Sequence, residues 1–321
     1  METVWIILLF ILGLILTIKG GDWFVDAAAW LAEATGIPKF LIGATVVSFA
    51  TTLPELLVSS IATWQGQMDM AMGNAVGSVN CNTGIILALS VLFLGGPVAR
   101  KQFQNKGLLF ILACVVLFFF SNDLQISLIE VVVLMLISIL FIADSIKEGI
   151  ETFGNEKTER PKIEKKEKFK NIMLFIVGAA SMAIGAKLLV DNGEKLAVLM
   201  HVPDIIISIT LVALGTSLPE LVTTITAIKK KQSDISIGNI VGANVLDMCF
   251  VVPISGIIAA AKSGAFLTID LSYKTIHTPM SILVALIAVV PTLIFKKTSK
   301  WQGALLLAVY AAYIAVSVVL I

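Results

Sequence analysis

The string SFATTLPELL at residues 48–57 returns as ALGTSLPELV at residues 213–222. Each copy sets Leu-Pro-Glu inside a long apolar run, and the two glutamates, Glu55 and Glu220, stand 165 residues apart. The same offset holds without a gap on either side. Gly20 matches Gly185, Val25 matches Val190, Asp26 matches Asp191, and Pro38 matches Pro203. Thr45 matches Thr210, Asp69 matches Asp234, Gly73-Asn74 matches Gly238-Asn239, and Gly77 matches Gly242. An ungapped repeat of this length is a duplication, so each half is one copy of a common unit.

Composition decides what the unit is made of. The 321 residues are 58% hydrophobic and only 14% charged, with a mean hydropathy of +0.97. Soluble chains are nearer half apolar and a quarter charged. This excludes a disordered chain, a nucleic-acid binder and a soluble enzyme with a conventional core, and leaves a helical protein spanning a membrane many times. Cys81, Cys114 and Cys249 all lie in apolar runs and form no disulfide framework. His201 and His277 are far apart and suggest no ligand cluster. Glu2 stands where a signal peptide has its basic region, so the first apolar run reads as a span.

Ten spans are expected, at roughly 4–20, 38–64, 72–95, 107–121, 126–144, 172–192, 204–228, 236–260, 278–295 and 302–321. The first and sixth have room to run on through 21–35 and 193–200. Basic residues follow the odd-numbered spans: Arg100, Lys101 and Lys106, the stretch Lys147 to Lys170, Lys229 to Lys231, and Lys296, Lys297 and Lys300. The positive-inside rule makes these loops cytoplasmic and puts both termini outside. The loop with Lys262 and Lys274 is a mild exception. Trp23, Trp64 and Trp301 fall near span ends, as interfacial anchors do. The expected organisation is a first five-helix repeat at 1–144, a charged cytoplasmic linker at 145–171, and a second repeat at 172–321. With five spans per half, the second copy must insert upside down. The expected fold is all-α and polytopic, ten transmembrane helices in two inverted five-helix repeats. Many secondary transporters share this plan, with the substrate site at mid-membrane between the repeats.

Glu55, Glu220 and Asp247 lie within apolar spans, where each carboxylate costs about 2.5–3.5 kcal/mol on insertion scales. Their surroundings repeat at helical spacing. Ser48, Thr51, Thr52, Glu55 and Ser59 form one stripe, and Thr216, Ser217, Glu220, Thr223 and Thr224 form its counterpart. Asn74, Ser78 and Asn82 form a third, matched by Asn239, Ala243 and Asp247. Pro54 and Pro219 lack an N–H and free the carbonyls of Ala50 and Gly215. Carboxylates, hydroxyls, amides and bare carbonyls are hard oxygen ligands, suited to Ca2+ and Na+ and unsuited to zinc or copper. Gly73 with Gly77 and Gly238 with Gly242 are G-x-x-x-G pairs, read as close helix packing that brings the stripes together.

The two blocks, GATVVSFATTLPE with GNAVGSVNCN and TLVALGTSLPE with GNIVGANVLD, resemble the paired α-repeats of the calcium/cation antiporter superfamily, most closely its sodium/calcium exchanger branch. The resemblance covers nearly the whole chain. It implies that Glu55 and Glu220 coordinate Ca2+ with the carbonyls of Thr51 and Thr216. It implies that Thr51, Thr52, Ser78, Thr216 and Ser217 serve sodium sites, with carbonyls from Ser48 and Ala213. Asn82 and Asp247 match the two central polar positions. Ala243 departs from the family's serine and removes a hydroxyl opposite Ser78, while Ala50 replaces the glycine seen at Gly215. Asp247 in place of asparagine resembles the potassium-dependent branch.

The expected function is antiport of Ca2+ against Na+ across the plasma membrane by alternating access, spans one and six sliding past the rest, with no enzyme activity and no cofactor beyond the transported ions. Its partners are those ions and the lipid bilayer, with no nucleic acid, and a monomer suffices because both halves of the site are in one chain. H+- or K+-dependent exchange, another divalent cargo, and a cation channel remain open.

Overall fold

The computed structural model describes residues 2–98, 100–155, 165–199, 215, 217–264 and 266–320. The first half begins with one long helix, α1 (Glu2–Thr35). The next crossing is assembled from pieces: α2 (Lys39–Ile42), a π-type stretch at Gly43–Val47, α3 (Ser48–Thr51) and, past a break at Thr52, α4 (Leu53–Gln65). Then α5 (Met68–Cys81) passes through a π-type stretch at Asn82–Leu87 into α6 (Ala88–Leu94), followed by α7 (Arg100–Phe120) and α8 (Leu128–Asn155). The second half holds α9 (Lys165–Leu199), α10 (Leu218–Lys229), and α11 (Ser233–Leu246). A π-type stretch at Asp247–Val251 leads from α11 into α12 (Val252–Ser263), and another at Tyr273–His277 into α13 (Thr278–Phe295), before α14 (Lys300–Leu320). Among the described residues, eight helices are long and apolar enough to cross a membrane. Most of the span expected at 204–228, with Pro203, Thr210 and His201, lies outside the described residues.

The helices outrun the apolar stretches that announced them. The first and sixth do run on, to Thr35 and Leu199. The third starts at Met68 rather than 72, the fourth at Arg100 rather than 107, and the eighth at Ser233 rather than 236. Backbone polar groups have to stay paired through the headgroup region, so helices continue beyond their hydrocarbon-matched centres. The segment read as a linker at 145–171 is helical at both ends, since α8 continues to Asn155 and α9 begins at Lys165. Its charges are spaced as helix-compatible pairs, Lys147 with Glu151 at 4.0 Å for example.

Glycines set the closest approaches. A Cβ on Gly20 would meet the Gly178 carbonyl at 2.8 Å, and one on Gly13 would meet that of Gly185 at 2.9 Å. Since Gly13 faces Gly185 and Gly20 faces Gly178, α1 and α9 run antiparallel, backbone against backbone. Gly238 and Gly242 pack against the backbone of Phe40 and Ala44, so α11 runs parallel to the α2–α3 stretch. The expected packing role therefore holds for Gly238 and Gly242. Gly73 lies under the Tyr273 hydroxyl, and Gly77 has no described atom within 4 Å. The residues that match their partners by the repeat offset, 205 and 209, are outside the described set.

Loops assigned by charge to one side meet at one end of the bundle. At one end Gln125–Ile126 (β1) pairs with Leu267–Thr268 (β2), and the Asp270 N–H donates to Asp69. At the other, Pro97 bridges Lys297 and the Thr298 N–H donates to the Gly96 carbonyl at 2.9 Å. Several basic residues expected in loops lie within helices, Arg100, Lys101 and Lys106 of α7 among them. Lys106, expected in a loop, lies inside α7 and is fully buried, with Nζ 2.6 Å from Asp144 and 2.5 Å from Glu148 of α8. A buried lysine needs such partners, and these are too far along the chain for spacing to reveal.

Candidate functional site

Both Leu-Pro-Glu motifs sit where a helix begins. Thr52 (φ −80°, ψ −7°) precedes α4, and Ser217 (φ −85°, ψ 7°) precedes α10. Each proline lies at the second position of its new helix, where its missing N–H costs no helical bond. Pro54 and Pro219 thus each sit at a helix start. This places Glu55 and Glu220 in first turns, beside the free N–H groups and partial positive charge of a helix N-terminus. Half-helix ends offset part of the cost of a carboxylate at this depth. The other central residues also share a local device. Asn82 and Asp247 each open a π-type stretch, the wide turn that recurs at functional sites.

Ser48, Thr51, Thr52, Glu55, Ser78, Asn82, Ser217, Glu220 and Asp247 are all buried. The Thr51 hydroxyl donates to Asn239 Oδ1 at 3.1 Å, across the two halves, and lies beside the Glu220 carboxyl. Glu55 lies within electrostatic reach of both Glu220 and Asp247. Thr216 and Ala213, assigned by the resemblance, lie outside the described residues. Ala243 is buried, so the position that matches Ser78 by the repeat offset offers a methyl group.

Not every member of the polar stripes is available. Asn74 donates to the Glu55 carbonyl at 3.0 Å and to Ser59 Oγ at 2.9 Å, and Ser59 donates to the Ala71 carbonyl at 3.2 Å. These two residues pin α4 to α5. Ser236, absent from the sequence reading, donates to Ser90 at 2.9 Å and lies 3.3 Å from Thr224. Asn244 donates to Thr83 at 2.7 Å. Single Ser and Asn residues in apolar helices carry no signal that names such partners.

What remains is a set of oxygens without partners. Among the described residues, both carboxylate oxygens of Glu55 and of Glu220, the hydroxyls of Thr52 and Ser217, both polar atoms of the Asn82 amide and Asp247 Oδ1 are buried with no hydrogen-bond partner. A buried polar atom left unpaired costs about 1–3 kcal/mol, more when charged. Six of these nine atoms, the five carboxylate oxygens and Asn82 Oδ1, accept and do not donate, a set whose chemistry suits a hard cation. No three His, Cys, Asp or Glu side chains among the described residues crowd into a resident metal cluster.

The model of the sodium/calcium exchanger protein family matches residues 5–147 and 170–319, both halves of the duplication. The chain belongs to the sodium/calcium exchanger family. An uncharacterised membrane protein of Methanocaldococcus jannaschii is 33% identical to this exchanger, over 95% of this chain and 96% of that protein. The sodium/calcium exchanger MaX1 of Methanosarcina acetivorans is 27% identical, over 96% and 97%. A solved structure of the sodium-calcium exchanger NCX_Mj, soaked with 10 mM Na+ and no Ca2+, superposes with a TM-score of 0.83 at 31% identity, over 98% of this chain and 99% of that one. The helical membrane fold expected from composition and the family expected from the two motif blocks are both upheld.

Proposed function

We propose that this exchanger moves Ca2+ against Na+ across the plasma membrane by alternating access, around a site formed by Glu55 and Glu220 with the hydroxyls and carbonyls of their half-helices. The observation that carries this reading is the matched pair of buried carboxylates, each in the first turn of a half-helix, each without a donor, 165 residues apart in a duplicated chain. The name of MaX1 and the sodium-calcium exchanger to which NCX_Mj belongs support the choice of ions. The reading includes ten spans in two inverted repeats, 1–144 and 172–321, joined by a cytoplasmic segment, with both termini outside and a single chain sufficient. The antiparallel α1 and α9 favour inversion, since these are the same helix of the two copies.

Charge decides how the ions compete. Glu55, Glu220 and Asp247 carry three negative charges when all are ionised, so one Ca2+ leaves the site at −1. Several Na+ ions neutralise it fully, and so does one Ca2+ with one proton on Asp247. The two cargoes use the same oxygens, and the empty site, with its unpaired carboxylates, is the costly one to carry across an apolar barrier. That cost makes transport obligatory exchange. In Glu55 and Glu220 the carboxylates supply charge and direct ligation, while Thr52 and Ser217 supply hydroxyl oxygens next to each helix start.

A second reading has a specific support. The methyl of Ala243 replaces a hydroxyl at a position matched to Ser78, and Asp247 supplies a titratable group nearby in its place. Proton coupling through Asp247 follows if that hydroxyl is essential for sodium. Radiolabelled Ca2+ uptake into proteoliposomes, driven by an outward Na+ gradient and separately by an outward H+ gradient, with and without K+, separates the two. Uptake driven by Na+ supports the first reading, and uptake driven only by H+ overturns it in favour of the second. Uptake without any counter-ion gradient overturns both and indicates a channel.

Ala243→Ser restores one oxygen ligand without a change in charge. The expected result is a fall of about three- to ten-fold in half-saturating Na+, the worth of one hydrogen bond or weak ligand, with half-saturating Ca2+ nearly unchanged. The same sodium dependence in the two proteins means that Ala243 faces away from the sodium ligands.

A further inference from the structure

The membrane domain is built as two bodies. The large apolar core, which runs from Phe40 through Val289 to Tyr310, contains no residue of α1 or α9 among those described. These two helices meet the rest through a separate, smaller cluster: Phe24, Ala28 and Ala32 of α1 and Met182 of α9 against Ile42, Val47 and Ile235. Gly21 lies directly on Val222 of α10, which keeps that seam smooth. Among the described residues two ion-paired contacts cross it: Lys39 of α2 reaches Glu33 of α1 at 3.2 Å across the turn that joins them, and a second, larger contact is built on Lys230. Lys230, at the end of α10, has Nζ 2.7 Å from Asp26 Oδ1 and 3.8 Å from Asp22 Oδ1, and donates to the Asp22 carbonyl at 2.9 Å. One lysine therefore grips a full turn of α1.

The other end of the duplicated bundle lacks this contact. The residue that matches Lys230 is Gln65, and the residues that match Asp22 and Asp26 are Lys187 and Asp191. There the lysine is on the long helix itself and pairs along it, Lys187 Nζ to Asp191 at 3.0 Å. A charge pair crosses the seam at one end and stays within a single helix at the other.

We infer that Lys230 with Asp22 and Asp26 is a one-ended latch, which sets the resting balance between the two facing states by holding α1 and α9 against α10 at the cytoplasmic end. The inference rests on the alternating-access reading above. In a transporter built from two copies of one unit, the two facing states are alike except where the copies differ. A contact that exists in one state and has no counterpart in the other tips the equilibrium by its own strength. The latch is half-exposed, so its strength is that of a surface ion pair, about a two- to five-fold change in a population ratio. A latch of this size biases the cycle without stopping it. Lys230 is a positioning residue and touches no transported ion.

The test uses the full-length protein in sealed vesicles of known orientation, with half-saturating Ca2+ measured at each face under Na+ exchange. Apparent affinity at a face scales with the share of molecules open to it. Lys230→Gln is expected to lower half-saturating Ca2+ at the face where Lys230 lies by about two-fold or more, and to raise it at the opposite face. The charge-swapped Lys230→Asp, Asp26→Lys protein is expected to return toward the parent at both faces. Gln65→Lys with Lys187→Asp builds the mirror latch at the other end. It adds an ion pair rather than removing one, yet is expected to shift both faces in the same directions as Lys230→Gln. A general loss of stability moves both faces together or lowers only the maximal rate, and either of those results, or no shift, overturns the latch. If the parent shows no exchange at either face under Na+ or H+ gradients, the exchanger reading itself falls and the latch with it.

Discussion

Glu220→Gln is expected to fold, insert and carry no measurable Ca2+. Glutamine keeps the size and shape of the side chain at the first turn of α10, so packing around it is unchanged. What is lost is one negative charge and a carboxylate able to bind a divalent ion with both oxygens. Truncating one partner of a buried charge pair costs about 2–5 kcal/mol, which is a loss of roughly 30- to several-thousand-fold in affinity. The ion-free protein, by contrast, is relieved of one of three like charges within electrostatic reach of one another, so its melting temperature in detergent is expected to stay level or rise. Ca2+ is expected to raise the parent's melting temperature and to leave that of the variant unchanged. Glu55→Gln is expected to behave the same way, because the two residues occupy matched positions in α4 and α10. Normal Ca2+ uptake by either variant would remove the carboxylate pair from the site.

Gly242→Val is expected to be among the most damaging single changes outside the site. A Cβ at Gly242 would press on the Ala44 carbonyl and lie 2.5 Å from Ser48 Oγ. The obstruction is largely backbone, which cannot swing aside as a side chain can. The α11 helix therefore has to move away from the α2–α3 stretch, and the Thr51–Asn239 hydrogen bond between the two halves opens with it. Overpacking of a tight contact costs typically about 1–3 kcal/mol and occasionally more, and this contact, backbone to backbone, belongs at the top of that range. The measurement is thermal unfolding in detergent, with Gly149→Ala as the control, since Gly149 has no described atom within 4 Å. Equal melting temperatures for the two variants would show that α11 does not need this close approach.

Several features were legible in the residues because they break a rule that lipid imposes. An acid inside an apolar run is expensive, and Glu55, Glu220 and Asp247 stood out for that reason. The 165-residue offset then paired two of them before any geometry was known. Proline before glutamate marked a helix discontinuity, although not that each proline begins a new helix and sets its glutamate at a positive helix end. The stripe of Asn74 and Ser59 illustrates the limit of periodicity. Spacing places side chains on a face, yet it does not say whether a neighbour has already taken them, and these two are spent on holding α4 to α5.

The sequence by itself determined the helical membrane class, the duplication, the family and the residue types of the candidate site, because hydropathy, charge and repeat offset are properties of the chain read in one dimension. Only the tertiary structure decided that Lys106 is buried against Asp144 and Glu148, that the helices run past their apolar centres, that α1 and α9 stand apart from the main core, and that Lys230 reaches Asp22 and Asp26. The second follows from backbone pairing within each helix, which outlasts the apolar stretch. The other three depend on pairings between helices far apart along the chain. Hydrogen bonds and ion pairs act over about 3–4 Å, a distance that sequence separation does not encode.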